Sequence, residues 1–169
     1  MIISDHGDEF FDHNSIGHRS TLFAEQVHIP MILHAPDRPG NGKRISNISR
    51  IYDVAPTLID LATYGGHGMS GIEGESLLPD IEGAKKTRVA FQNLITGGHR
   101  SSRNLTISQG FRNDNFSVIQ NFRYDQENST EEILSVKPLL QPATNTPFLV
   151  FNRIEDPLQK TPLAPTSKD

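Results

Sequence analysis

An α/β sheet flanked by helices, followed by a small antiparallel β subdomain, is the architecture that this sequence predicts. Two patterns carry the expectation. Strand-like and helix-like runs alternate through residues 1–84, and residues 85–158 hold mainly short β-like runs separated by polar turns. Alternation places helices against a sheet, whereas a series of short strands closed by turns favours antiparallel pairing. The last segment, 159–169 (QKTPLAPTSKD), is polar and contains prolines, which predicts a flexible tail.

The first element is a strand stub. Met1-Ile2-Ile3-Ser4 reads as the end of a buried strand that runs straight into a polar loop, which predicts a missing upstream part. Residues 5–18 (DHGDEFFDHNSIGH) have neither helical nor alternating period and form a loop rich in ligand-type side chains. Ser20 is placed to cap a short helix over 21–26, and Met31 to Leu33, bounded by Pro30 and Pro36, suits a short buried strand. Residues 35–45 (APDRPGNGKRI) are a turn-rich surface loop. Pro56 suits a first helical turn, and Leu58, Ile59, Leu61 and Ala62 give the following helix over 57–63 an apolar stripe. Strands are expected over 88–94, 105–110, 117–122 and 148–151, with a polar excursion at 125–147.

Composition narrows the function classes. With 35% hydrophobic residues the chain can bury a modest core. Lys and Arg number 16 against 20 acids, a formal charge of −4, which gives no reason to expect a nucleic-acid partner. Cysteine is absent, which removes disulfides, thiolate metal sites and a thiol nucleophile. No apolar run approaches the roughly 20 residues of a membrane span, and the first residues lack the basic-then-apolar pattern of a secretory signal.

Chemistry concentrates near the N-terminus. Ser4-Asp5-His6-Gly7 stands where a strand ends, the usual place for ligands in an open α/β sheet. A carboxylate followed by an imidazole, with a glycine for a tight turn, offers two ligands to one divalent ion; the same four residues also describe a simple turn with a capping carboxylate. His18, just before the helix, could donate to an anionic oxygen, or be a surface histidine beside a cap. Asp8, Glu9, Asp12 and His13 in the same loop are expected to be solvated or to fix the loop by hydrogen bonds.

Taken in order, the segments SDHGDEF, FDHN, GHRSTLFAEQVHIPMILHAP, YDVAPTLIDLA, GIEGESLLPDIEG and FLVFNRIEDPLQKTPLA resemble the sulfatase family of the alkaline-phosphatase superfamily over most of the chain. The resemblance implies a partial alkaline-phosphatase-like sheet flanked by helices, with the small antiparallel sheet closing the chain. It implies that Asp5 and His6 are metal ligands and that His18 contacts the sulfate or phosphate of the substrate. Ca²⁺ is the ion the family favours. His6 stands where many members have Asn and also suits Mn²⁺ or Zn²⁺.

The same Asp-His pair with a later His also resembles the phosphoethanolamine and glycerol-phosphate transferases and phosphodiesterases of the superfamily. The family's nucleophile, a formylglycine made within C/S-x-P-x-R, has no counterpart in these residues, and Ser101 and Ser102 in GGHRSSRN are read as loop residues. The expectation is therefore the C-terminal portion of a sulfatase, inactive by itself, from a periplasmic, extracellular or lysosomal parent that acts on a sulfate or phosphate ester; a non-catalytic remnant is the remaining alternative. Sequons at Asn47, Asn104, Asn115 and Asn128 fit such a compartment without establishing it.

Overall fold

The computed structural model describes residues 1–18, 21–36, 40, 42–63, 65, 71–96, 104–125, 130–134 and 148–164. Ser20, Ser101 and Ser102, and with them the expected Ser20 cap, lie outside these. Strand β1 (Ile2–Ile3) pairs antiparallel with β4 (Met31–Ile32), matching Ile2 to Ile32 and Ile3 to Met31. Between them, the segment expected to be irregular contains a small hairpin of β2 (Glu9–Phe10) and β3 (Ile16–Gly17). Phe11 N donates to Ser15 O at 2.8 Å, and Phe11, Asn14 and Gly17 take positive φ to close the turn. Two-residue strands carry too little alternation to be read from sequence.

Helix α1 is short, Ala24–Val27, and starts later than the sequence predicts. Leu22 and Phe23, expected in its first turn, instead point into the core. A 3₁₀ turn (Ile51–Asp53) leads into α2 (Val54–Thr63), with Pro56 in its first turn as expected. Asp53 is fully buried and explains the entry geometry: its carboxylate accepts from Arg50 N at 2.9 Å and Glu75 N at 2.9 Å. Helix α3 (Leu78–Glu82) ends at Gly83 in the left-handed conformation, at φ 112°, where a residue without Cβ costs nothing.

The rest is an antiparallel sheet of β5 (Ala90–Thr96), β6 (Asn104–Arg112), β7 (Phe116–Asp125), β8 (Thr130–Leu134) and β9 (Phe148–Asn152). Its order is β5-β6-β7, and β7 is long enough to take two partners: β9 along Phe116 to Gln120 and β8 along Asn121 to Asp125. The excursion expected at 125–147 therefore contains a strand, hidden in the sequence by its charged TEEIL composition; 135–147 lie outside the described residues.

Sheet alternation sets the core. Leu149 and Phe151 of β9 lie opposite Ile119 and Ser117 of β7, so all four share one face, and Leu22 and Phe23 pack there. Fully burying each such apolar side chain contributes about 1.5–3 kcal/mol. Gly110 of β6 makes room: a Cβ at that position would stand 2.9 Å from Val118 O and 3.3 Å from Leu22 Cδ1.

The segment expected as a loose tail is anchored at its start. Gln159 is 1% exposed, Lys160 N and Thr161 N donate to Asp156, and Leu163 N donates to Val150 O at 2.7 Å. Composition suggested fraying, but tertiary hydrogen bonds that composition cannot show hold 159–163 against β9. Among the described residues no helix is long and apolar enough to cross a membrane.

Candidate metal and anion site

The end of β1 brings the sequence-predicted residues together. Ser4 Oγ donates to His6 O at 2.6 Å and His6 N donates to Asp5 Oδ1 at 3.0 Å, so the turn folds Asp5 back over His6. Gly7 N donates to Gln26 O at 2.9 Å, and a Cβ on Gly7 would overlap the Glu25 carbonyl oxygen; glycine is required here by close approach to α1. The β2–β3 hairpin then returns the chain, leaving the His6 and His18 rings with centroids 4.3 Å apart.

Both rings are oriented through Nδ1. His6 Nδ1 donates to Gly7 O at 3.0 Å and His18 Nδ1 donates to Asp8 Oδ1 at 2.8 Å. With Nδ1 holding the proton, Nε2 of each ring carries the free lone pair, as in histidines that ligate metals. His6 Nε2 lies 3.6 Å from Asp5 Oδ2. Hydrogen bonds from His6 N and from its own backbone N–H, then the nearby His6 ring, hold the Asp5 carboxyl below its ordinary range. An ionised, open carboxylate beside an imidazole fits a divalent cation. Asp8, read from the sequence as solvated or as fixing the loop, joins the cluster through its bond to His18; a contact across ten residues leaves no sequence signal.

Glu9 and His13 do fix the loop, from inside. His13 is fully buried at the hairpin turn and stacks on Phe23 with centroids 3.8 Å apart. Its Nδ1 bonds the Glu25 carboxylate and its Nε2 lies 3.0 Å from Gln159 O. The Gln159 side chain continues the network, accepting from Arg112 Nη2 at 2.6 Å and donating to Ser117 Oγ at 2.7 Å. Glu9 accepts from Thr21 Oγ1 and Gln26 Nε2. The loop carrying His6 and His18 is thus tied to α1, to β6 and β7, and to the C-terminal segment.

A cleft of about 1380 Å³ opens beside the cluster, lined by Asp5, His6 and His18 together with Lys43, Arg44 and Arg153. Cations on this wall favour an anionic occupant although the chain is acidic overall. His28 lines the same cleft, and burial, then the charges of Arg112 and Arg153, push its imidazole below the ordinary value. The unfolded chain therefore binds this proton first, and stability should fall as pH drops through about 6.5. Thermal melts of His28→Gln between neutral and mildly acid pH are expected to show a shallower decline than the parent chain.

No family model matches the chain. Arylsulfatase K of Canis lupus familiaris is 30% identical over 76 residues, which covers 45% of this chain and 14% of that protein. Arylsulfatase K of Xenopus laevis is 28% identical over 90 residues, 53% of this chain and 16% of that protein. A solved structure from Bacteroides thetaiotaomicron VPI-5482, described as a sulfatase, superposes with a TM-score of 0.68 at 19% identity, over 98% of this chain and 31% of that one. A 2-O GAG sulfatase superposes at 0.66 and 18% identity, over 97% of this chain and 31% of that one. The chain thus spans less than a third of the length of each of these proteins. The chain is thus similar in sequence to arylsulfatases over part of their length and shares its fold with solved sulfatases.

Proposed function

We propose that this chain supplies the C-terminal part of a metal-dependent sulfuric ester hydrolase, with Asp5 and His6 as ligands of a divalent cation and His18 facing the anionic group of the ester. The convergence of these three side chains on one open cleft, at the end of β1, carries the reading. When bound, such a cation supplies Lewis-acid stabilisation of charge on the ester. His18 Nε2, freed by the Nδ1 bond to Asp8, is positioned to accept or return a proton or, when protonated, to donate to a sulfate oxygen. Neither a cysteine nor an S-x-P-x-R segment occurs in the 169 residues, so turnover requires a nucleophile from elsewhere in the complete enzyme, and the parent is read as an extracytoplasmic protein.

Asp5 favours Ca²⁺, whereas the imidazole of His6 broadens the choice to Mn²⁺ or Zn²⁺. Mn²⁺ titration of the chain, followed by electron paramagnetic resonance, tests the ligand pair. Asp5→Asn and His6→Ala are each expected to weaken binding roughly tenfold or more; affinities equal to the parent chain would defeat the assignment. The imidazoles at positions 6 and 18 also favour a second reading, a phosphate-ester enzyme of the same superfamily. Inorganic sulfate and inorganic phosphate, compared by their effect on the His18 ring resonances, separate the two.

A further inference from the structure

We propose that Asn115, rather than Asn47, carries an N-linked oligosaccharide in the folded chain, a covalent modification site at the tip of the β6–β7 hairpin. Both residues open a sequon, Asn115-Phe116-Ser117 and Asn47-Ile48-Ser49. Asn128 and the Asn104 side chain lie outside the described residues. A glycan is bulky and polar, so a fold tolerates it only where the amide faces solvent and supports nothing else.

Asn115 meets that condition. Asn113 N donates to Phe116 O at 3.0 Å to close the hairpin, and Asn113 Oδ1 accepts from Asn115 N at 2.9 Å and from Phe116 N at 2.7 Å. Asn115 O accepts from Arg153 N at 2.8 Å. The tip is thus held by the Asn113 side chain and the Asn115 backbone, and Asn115 itself is exposed and outside the cleft wall. Asn47 fails the condition twice. Its Nδ2, the atom that would carry the sugar, donates to Asp80 Oδ1 at 3.1 Å and to Lys86 O at 3.3 Å, which uses both amide hydrogens. A sugar there displaces one of these bonds beside the buried Asp80–Arg88 pair, and it fills the cleft that Asn47 lines with His6 and His18.

The donor is a lipid-pyrophosphate-linked oligosaccharide. Asn115 Nδ2 forms a C–N bond to its anomeric carbon, the anomeric C–O bond breaks, the lipid pyrophosphate leaves with the electron pair, and one amide proton passes to a base on the transferase. That enzyme also has to reach the sequon hydroxyl. Ser117 is fully buried and its Oγ accepts from Gln159 Nε2 at 2.7 Å, so the sequon closes when the C-terminal segment docks. Asn115 is therefore modified on the emerging chain, before Gln159 is in place.

This site takes its setting from the extracytoplasmic reading and owes nothing to the sulfate-ester reading. The test supplies the compartment: the full chain, behind a cleavable secretory leader and with a reporter sequon appended after Asp169, is translated with endoplasmic-reticulum microsomes. Protease-resistant chains that carry the reporter glycan are treated with peptide N-glycosidase in heavy-oxygen water, and mass spectrometry marks each occupied asparagine. Asn115 is expected to be occupied in most of them and Asn47 in few, and Asn115→Gln should lose one glycan on a gel. Chains folded before they meet the transferase should stay unmodified at Asn115. Absence of protease-resistant chains with Asn115 occupied overturns the proposal, as does Asn47 occupancy equal to that of Asn115; modification of Asn115 after folding overturns the order of events.

Discussion

Asp80→Ala is expected to destabilise the folded chain by about 3–5 kcal/mol, because it strands a buried guanidinium. Arg88 Nη2 donates to Asp80 Oδ2 at 2.7 Å, and both side chains are 1% exposed. The other Asp80 oxygen accepts from Asn47 Nδ2 at 3.1 Å and from Lys86 N at 3.4 Å. Little among the described residues replaces it: Arg88 Nη2 otherwise reaches only Ser76 O at 3.5 Å, Nε and Nη1 are buried without a hydrogen-bond partner, and Glu75 Oε2 approaches Nε only to 3.8 Å. For a domain of this size each kcal/mol moves the melting temperature by about 2–4 °C, so a thermal melt should resolve the loss easily. An unchanged melting temperature would show that the pair contributes nothing net.

The same pair gives a pH dependence. Burial works to raise the Asp80 carboxyl, but the hydrogen bond and charge of Arg88, with Lys86 N and Asn47, outweigh it and leave the folded group below its ordinary value. A depressed carboxyl contributes stability that is full above about pH 4 and is lost as pH falls through the folded value. Asp80→Ala should therefore differ from the parent most near neutrality and least in strong acid.

The second large effect is expected from His13→Ala. The substitution removes a fully buried ring from its stack on Phe23 and leaves the Glu25 carboxylate and Gln159 O without their partner. Two acceptors left unpaired in or near the core, together with a cavity, cost about 3 kcal/mol or more. Because the hairpin that carries His13 also places His18 beside His6, the loss should extend to the site. Mn²⁺ affinity should fall, with partial rescue in His13→Gln, whose amide can still donate to Glu25. A His13→Ala chain that melts lower but binds the ion like the parent would confine His13 to stability and separate it from the site.

The residues at the site were legible in the sequence because they occur close together in it. Asp5, His6 and Gly7 follow a strand stub, and His18 returns within a short loop, so type and spacing marked them as candidates, and the resemblance carried by the later motifs implied their roles. The helix expected over 57–63, which the structure begins at Val54, was legible for a similar reason: Pro56 and an apolar stripe at helical spacing are local signals. Four of the five strands of the second half were visible from their β-like runs, whereas β8, with its charged residues, was not.

What tertiary structure decided lies across long separations. Gln159 belongs to a polar tail by composition, yet it bonds Arg112 and Ser117 and offers its carbonyl to His13, which stands 146 residues away. Asp8 was one acid among several in the loop until the β2–β3 hairpin set it against His18. Local sequence pattern determined which residue types could bind an ion and roughly where the elements lie, because propensity, capping and ligand chemistry act over a few residues. Which carboxylate meets which imidazole, and which polar side chains are buried as struts, was fixed only when strand pairing and core packing brought distant segments within hydrogen-bond reach.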